Sequence, residues 1–360
     1  MAKLITTDLT NNKQWTSNKQ CIIQYITTDG EMLSLNSNGY GFYDTIKDYA
    51  FDAQIVSHTY TDVGKIIFDK PITKIGDCAF ELCINLTKII IPDSVTEIGR
   101  SAFEGCTRLT NITIPEGVTE IGEKAFECCI RMTSIVIPKN VNKIGRSAFS
   151  KCENLISATI PDGITSIGNS VFEKCKSLKS INIPYSVTTI GADAFCLCQS
   201  LTSLSIPNNV ETIGKRTFFG CDNLKNITIP NAVTEIGEEA FAWCKGLANV
   251  TIGNNVQSIG KGAFTGCKGL TDITIPNSVK SIGVEAFSGC SGLTNVIIGN
   301  NVIEIGTQAF NRCNIDKLVC YPKIPPRIQD PKDFGVFKNI ILQTGCENAY
   351  INSDWSKFFE

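Results

Sequence analysis

Apolar and polar residues recur along most of the chain with a period of 23 residues, without insertion or deletion over eleven units. Written out, the unit reads L-T-x-I-x-I-P-x-x-V-T-x-I-G-x-x-A-F-x-x-C-x-x. The period is clearest at one aromatic position, occupied by Phe80, Phe103, Phe126, Phe149, Phe172, Phe195, Phe218, Phe241, Phe264, Phe287 and Phe310. A strict repeat of this length predicts a solenoid, in which each unit forms one turn and buries its apolar residues against its neighbours.

Each unit is predicted to contain two short strands and a bend. Apolar residues alternate with polar ones over residues 109–114, as in a strand, and Pro115 ends the run. A second extended piece follows at residues 118–121, and Gly122 permits a sharp change of direction. The spacing of apolar residues over 125–129 predicts a single helical or 3₁₀ turn. Stacked units should therefore form short parallel strands with continuous ladders of isoleucine, phenylalanine and cysteine.

The recurring motif IPxxVTxIGxxAFxxC resembles the 23-residue leucine-rich repeat of the BspA type, found in surface proteins of gut and oral bacteria and of some protozoa. The resemblance covers residues 63–328, with a degenerate first unit at residues 66–75 and departures such as Gly253 and Gly299 in place of proline. It implies a leucine-rich-repeat horseshoe, a repeat solenoid capped at both ends, which binds proteins or host surfaces without catalysis.

The segments outside the repeats are expected to cover the ends of the stack, which would otherwise expose the core. Residues 1–62 predict a β-rich lead-in that is either an N-terminal cap or an attachment segment. The cap is the better reading for residues 40–62, and both readings stay open for residues 1–39. Residues 329–360 predict a C-terminal cap with a terminal strand and a short helix, whose apolar lid would consist of Tyr350, Trp355, Phe358 and Phe359.

Composition argues against several classes of function. Lys plus Arg number 33 and Asp plus Glu number 35, so the chain has no basic field for nucleic acid. His58 is the only histidine, which argues against catalytic triads and against metal sites that need several imidazoles. No run approaches the ~18 apolar residues of a membrane span. We therefore expect no enzyme, no cofactor, no metal site and no membrane insertion.

The seventeen cysteines are numerous enough to suggest disulfides, but their spacing argues otherwise. Eleven of them occupy one position per unit beside the core phenylalanine, where a free thiol packs as a small apolar group. The close pairs Cys128-Cys129 and Cys196-Cys198 each have one member in this series, so neither resembles half of a zinc site. The pattern predicts a ladder of buried thiols.

Two surface features are candidates for partner binding. The first is a column of small polar residues between the inward positions of the first strand, flanked in many units by threonine two residues later. Its members are Asn111, Ser134, Ser157, Ser180, Ser203, Asn226, Asn249, Asp272 and Asn295. The column could simply stabilise the stack by hydrogen bonds along the ladder. Alternatively, it forms a flat face for contact with a protein or a glycan.

The second feature follows the core phenylalanine in three consecutive units. Leu197, Phe219 and Trp243 stand there, where other units carry glutamate or lysine. Apolar residues at positions that are otherwise polar suggest an interaction patch. The other reading is that one of these side chains fills a gap between neighbouring turns.

Together these features predict a non-catalytic binding protein that presents an extended repeat surface to a protein or glycan at a cell surface, most simply in adhesion. The alternative is a structural component of a larger assembly, such as a phage virion or tail-associated protein of a gut bacterium. Residues 1–20 lack the apolar stretch of a secretory signal. Either the protein is not exported, as a cytoplasmic or virion protein, or a signal has been removed from an extracellular one.

Overall fold

The computed structural model describes residues 5–7, 14–16, 21–36, 43–328 and 334–359. It forms two compact units, residues 1–164 and 165–360. Parts of the predicted terminal segments therefore lie outside the described residues.

The first unit begins with strands that do not belong to the repeats. They are β1 (Ile5–Thr7), β2 (Gln14–Thr16), β3 (Ile22–Thr27), β4 (Ser34–Asn36), β5 (Thr45–Lys47), β6 (Ile55–Tyr60) and β7 (Gly64–Phe68), with a 3₁₀ helix at Asp48–Ala50. β1 and β2 pair with each other in antiparallel fashion, and β4 and β5 pair in parallel. β7 lies between β3 and β6 and is antiparallel to both.

The repeats of the first unit contribute two series of parallel strands. In chain order they are β8 (Lys74–Ile75), β9 (Leu86–Ile90), β10 (Glu97–Ile98), β11 (Asn111–Thr113), β12 (Glu120–Ile121), β13 (Ser134–Val136), β14 (Lys143–Ile144) and β15 (Ser157–Thr159). The two-residue strands form a parallel sheet in the order β14-β12-β10-β8. Ile98 lies opposite both Ile75 and Ile121, each 23 residues away, so the sequence period is also the strand register.

The second unit continues both series in parallel. Its strands are β16 (Ser166–Ile167), β17 (Ser180–Asn182), β18 (Thr189–Ile190), β19 (Thr212–Ile213), β20 (Asn226–Thr228), β21 (Glu235–Ile236), β22 (Asn249–Thr251), β23 (Ser258–Ile259), β24 (Asp272–Ile275), β25 (Ser281–Ile282), β26 (Asn295–Ile298), β27 (Glu304–Ile305), β28 (Asn314–Cys320), β29 (Arg327–Ile328) and β30 (Val336–Leu342). A helix, α1 (Glu347–Ile351), and a 3₁₀ helix at Asp354–Phe358 follow. Eight two-residue strands form one parallel sheet. Another parallel sheet contains four strands in the order β24-β26-β28-β30. Both units are parallel repeat solenoids, which confirms the predicted fold class.

The bend after each second strand differs from the single helical or 3₁₀ turn that the pattern predicts. Alternate backbone N–H groups donate to the next turn of the stack, from Cys78 to the Arg100 carbonyl at 2.8 Å and from Leu82 to the Glu104 carbonyl at 2.7 Å. The groups between them bond within their own turn, as Glu81 does to the Cys78 carbonyl. Cys78 and Leu82 have left-handed backbones with φ of 58°, which no right-handed helix accommodates. The segment is a run of tight turns held by the neighbouring repeat.

The core of each unit is a ladder of phenylalanine rings. Within each unit, neighbouring rings stack at centroid distances of 5.2 Å to 5.6 Å and at interplanar angles of 2° to 12°. All eleven side chains are fully buried.

A second ladder consists of the repeat cysteines. The Sγ of Cys106 donates to the backbone carbonyl of Phe80 at 3.1 Å, and Cys244 makes the same bond to Phe218 at 3.1 Å. These thiols are buried and form no disulfide, and burial raises the pKa of the Cys106 thiol well above its usual range. The cysteine thus packs as a small apolar group and also satisfies a carbonyl of the preceding turn.

The N-terminal end of the stack is covered by β3, which lies between β7 and β9 and is antiparallel to both. The two strands of the degenerate first repeat, β7 and β8, therefore differ in their pairing. β8 pairs directly with β10 of the next repeat, whereas β3 lies between β7 and β9. Ile23 and Tyr25 of β3 are fully buried and belong to the core at this end of the stack. Phe51 closes the aromatic ladder, its ring meeting that of Phe80 edge-on at 6.0 Å.

The C-terminal end is covered by an aromatic cluster. Phe334 meets Phe310, the last ring of the ladder, edge-on at 5.7 Å, and it packs in turn against Trp355. The indole nitrogen of Trp355 donates to the Pro326 carbonyl at 2.8 Å. Of the four residues of the expected lid, Tyr350 and Trp355 are fully buried and Phe358 is half-buried, but Phe359 is 41% exposed and lies outside the lid.

Candidate binding surfaces

The longer strands of the repeats present the polar column that the sequence predicts. In β11, Asn111 and Thr113 are exposed and the intervening Ile112 is buried. The same alternation brings every member of the column to the surface: Asn111, Ser134 and Ser157 in the first unit, and Ser180, Ser203, Asn226, Asn249, Asp272 and Asn295 in the second. This column, together with the residues two positions after its members, is termed the strand face. Because the intervening residue carries the packing, the strand face can vary without altering the core.

Hydrogen bonds run along the strand face in the second unit. The amide of Asn249 donates to the side-chain carbonyl of Asn226 at 2.6 Å, and that of Asn295 donates to Asp272 at 2.6 Å. The hydroxyl of Thr271 donates to the other oxygen of Asp272 at 2.6 Å. These two donors hold the pKa of the Asp272 carboxyl below its usual range, so it is ionised at neutral pH. The face therefore combines neutral hydrogen-bonding groups with one fixed negative charge.

A groove of about 810 Å³ lies beside the ends of β22, β24 and β26. The strand face supplies one wall through Asn249, Thr251, Asp272 and Thr274. Tyr321, which is 47% exposed, also lines the groove. The sequence shows this tyrosine only as a position near the end of the repeats, and nothing in the period alone marks it as part of a site.

The three residues of the predicted apolar patch do not share one surface column. Leu197 and Trp243 occupy the same position of their repeats, where the backbone is left-handed with φ of 60° and 61°. Phe219 is one residue earlier in its repeat, and the residue equivalent to the other two is Gly220. The expected alignment of three side chains in consecutive turns is wrong by this one residue.

Phe219 is covered rather than free. The guanidinium of Arg216 lies over its ring, 4.1 Å from the centroid. Arg216 also pairs with Asp193 at 3.1 Å and with Glu239 at 3.3 Å, so three successive turns are joined by one cation. A cation over an aromatic face is a stabilising contact of its own. Phe219 therefore belongs to an intramolecular cluster.

Leu197 and Trp243 each lie over a glycine of the following turn. A Cβ added to Gly220 would come within 2.6 Å of a methyl group of Leu197, and one added to Gly266 would come within 2.8 Å of the Trp243 ring. Trp243 keeps 43% of its surface exposed, whereas Leu197 is half-buried. Of the three residues, Trp243 alone offers a sizeable apolar surface to a partner.

The repeat is matched by the model of the BspA type leucine rich repeat region, which covers residues 73–201 and 188–316. These two overlapping matches span more than half of the chain.

The chain belongs to the BspA-type leucine-rich repeat family.

Solved structures of leucine-rich repeat proteins are similar to this BspA-type chain. A leucine-rich repeat protein from Bacteroides ovatus is 30% identical, with a TM-score of 0.51, over 75% of this chain and 82% of that one. A leucine rich cell surface protein from Faecalibacterium prausnitzii is 28% identical, with a TM-score of 0.52, over 97% of this chain and 98% of that one. No curated protein is significantly similar in sequence.

Leucine-rich repeat families are generally binding proteins without catalysis, and His58, the one histidine of this BspA-type chain, has a structural partner. Burial lowers the pKa of His58, and its Nε2 is 2.7 Å from the hydroxyl of the buried Tyr25. Among the described residues, no group of three or more His, Cys, Asp or Glu side chains could hold a metal ion. None of the helices described has the length and apolar character needed to cross a membrane.

Proposed function

We propose that the protein is a non-catalytic binding protein of a cell surface, and that it attaches to its partner through the strand face of the second unit. The supporting observation is the alternation of the strands. In β20, an exposed residue stands on each side of a buried one, and the outward residues of β22 and β24 are exposed in the same way. Each turn adds outward side chains to one surface, so the contact area grows with the number of repeats.

A cell-surface role is supported by the leucine rich cell surface protein from Faecalibacterium prausnitzii, which resembles this chain over nearly the full length of both. Adhesion is the simplest purpose of such a surface, because attachment needs area and complementary groups but no reacting atoms. Uncharged amides and hydroxyls also suit contact with ordinary protein or glycan surfaces.

A structural role inside a larger assembly is the second candidate. It is favoured by the seventeen cysteines, none of which forms a disulfide. Free thiols are typical of proteins that fold in a reducing compartment, whereas exported proteins tend to use disulfides. Burial of the ladder thiols weakens this argument, because it would protect them outside the cell as well.

Labelling of intact cells that make the protein would separate the two roles. Antibody against the purified chain should label unpermeabilised cells, and protease added outside should remove the label. Labelling that requires permeabilisation, with the protein sedimenting in particles, would contradict the surface role and support the assembly role.

A further inference from the structure

The groove beside the strand face of the second unit differs in chemistry from the rest of the surface. Asn249, Thr251, Thr274 and Asn277 line it with amide and hydroxyl groups, and all four are exposed. Asp272 is the one charged side chain among its described lining residues. The groove is therefore rich in neutral donors and acceptors and has no cation of its own lining it.

Asp272 can accept further hydrogen bonds in the groove. Each carboxylate oxygen accepts one bond within the protein, from Asn295 and from Thr271. An ionised carboxylate oxygen has two acceptor positions, so one stays available on each oxygen. Bonds from a ligand hydroxyl to a carboxylate are shorter and stronger than bonds between neutral groups. The two internal bonds also fix the orientation of the carboxylate before a ligand arrives.

Tyr321 gives the groove an aromatic wall. It follows β28, whose pairing with β26 departs from the 23-residue register: Ile298 lies opposite Cys320, 22 residues later. Tyr321 consequently falls beside Gly299, where the other repeats carry proline or glycine, and its N–H donates to the Ile298 carbonyl at 3.0 Å. The bond fixes the backbone at Tyr321, and the exposed ring can pack against a flat apolar surface of a ligand.

We infer that this groove binds a neutral saccharide. Hydroxyl groups of a sugar match the amides, the hydroxyls and the carboxylate, while the C–H face of a pyranose ring matches the ring of Tyr321. The proposal rests on the proposed binding function and specifies its ligand. A peptide with a basic side chain would pair with the carboxylate as well, and binding to cells without surface glycans separates that occupant from a saccharide. An acidic saccharide would meet the charge of Asp272 without a compensating cation in the lining.

The test begins with the purified full chain on an array of neutral and acidic oligosaccharides, followed by calorimetric titration of the best ligand. Chitotriose and mannotriose serve as neutral probes, and 3′-sialyllactose as the acidic one. We expect a neutral saccharide to bind at least tenfold more tightly than its acidic counterpart. Tyr321→Ala and Asp272→Ala should each weaken that binding at least tenfold.

Tyr185→Ala is the matched control, since Tyr185 is 66% exposed and lies outside the groove. Its affinity should stay within twofold of the unmodified chain, and all three variants should keep the same melting temperature. Absence of binding to every neutral saccharide would overturn the inference, as would a preference for acidic ones or an unchanged affinity in Tyr321→Ala.

Binding to whole cells separates this inference from the function on which it rests. If the chain binds cells equally well before and after enzymatic removal of their surface glycans, the partner is a protein, so the saccharide inference fails and the binding function stands. If the unmodified chain binds no cells at all, the proposed function itself fails.

Discussion

Some bend glycines are covered by a side chain of the preceding turn, and others are not. Replacing a covered glycine with alanine should reduce the free energy of unfolding more than replacing an uncovered one. Gly266 and Gly289 occupy the same position in consecutive turns, and both have φ of 72°. The ring of Trp243 lies over Gly266, whereas a Cβ at Gly289 would meet nothing closer than 3.8 Å. The two glycines therefore have equal backbone conformation and unequal surroundings.

The magnitude follows from this difference. Alanine in a left-handed conformation costs roughly 1–2 kcal/mol, and Gly266→Ala and Gly289→Ala should share that loss. Gly266→Ala must also displace the ring of Trp243, and overpacking costs about 1–3 kcal/mol. Because Trp243 is 43% exposed, its ring can move outward, so we expect the lower end, about 1 kcal/mol more than for Gly289→Ala.

Urea unfolding of the two variants, each with and without Trp243→Ala, measures this extra loss directly. In the Trp243→Ala background, the two alanine substitutions should cost the same, which gives a coupling of about 1 kcal/mol between Gly266 and Trp243. Acrylamide quenching should also show Trp243 to be more accessible in Gly266→Ala. Equal losses in both backgrounds would refute the packing of the indole ring on the next turn.

Two further predictions concern the ends of the solenoid. Burial lowers the pKa of His58 below the ordinary 6.5, so the unfolded chain binds the proton more readily than the folded chain. Its contribution to stability should be complete above pH 6.5 and should decline as the pH falls through the lower, folded value. His58→Gln should flatten the dependence of the urea midpoint on pH between 7.5 and 5, and an unchanged slope would count against the buried contact with Tyr25. At the other end, Trp355→Ala should destabilise the second unit by about 3–5 kcal/mol, because a fully buried indole and its hydrogen bond are lost. Phe359→Ala, at an exposed position, should change the free energy of unfolding by less than about 0.5 kcal/mol, and equal losses in thermal scans would show that the lid has been misassigned.

The repeat made the stacked part of the fold predictable because each structural position is represented eleven times. Substitutions such as Thr217 for alanine do not obscure the pattern, and the Thr217 hydroxyl finds its own partners in the Gly191 and Gly214 carbonyls. The end of the stack has no such redundancy. β3 pairs with β9 across some sixty residues and in antiparallel orientation, and a periodic pattern carries no information on a pairing that occurs once.

The bends escaped prediction for a different reason. Lys151, Leu197 and Trp243 have left-handed backbones, although side chains of this kind ordinarily avoid that conformation. Bonds from each bend to the next turn stabilise it, as from the Trp243 N–H to the Thr265 carbonyl at 2.6 Å. Local sequence preference cannot reveal a conformation that depends on hydrogen bonds to the neighbouring repeat.

The candidate surfaces also differ in how far the sequence predicts them. The polar column was predictable because strand alternation with period two decides which residues face outward. The apolar patch was misaligned because in the bend a shift of one residue, from Trp243 to the position of Phe219, changes the environment completely. The groove depends on Tyr321, whose position follows from a one-residue change of register that begins where β28 pairs with β26, at the end of the repeats.

The most direct test of the central claim compares two variants of the full chain in one binding assay on intact cells. Thr251→Arg with Thr274→Arg alters the strand face at two adjacent, exposed positions, and Trp243→Ser alters the exposed apolar residue of the bends. We predict that the strand-face variant loses at least tenfold in binding while Trp243→Ser stays within twofold of the unmodified chain. Loss of binding in Trp243→Ser with full binding by the strand-face variant would contradict the account and move the binding surface to the bends.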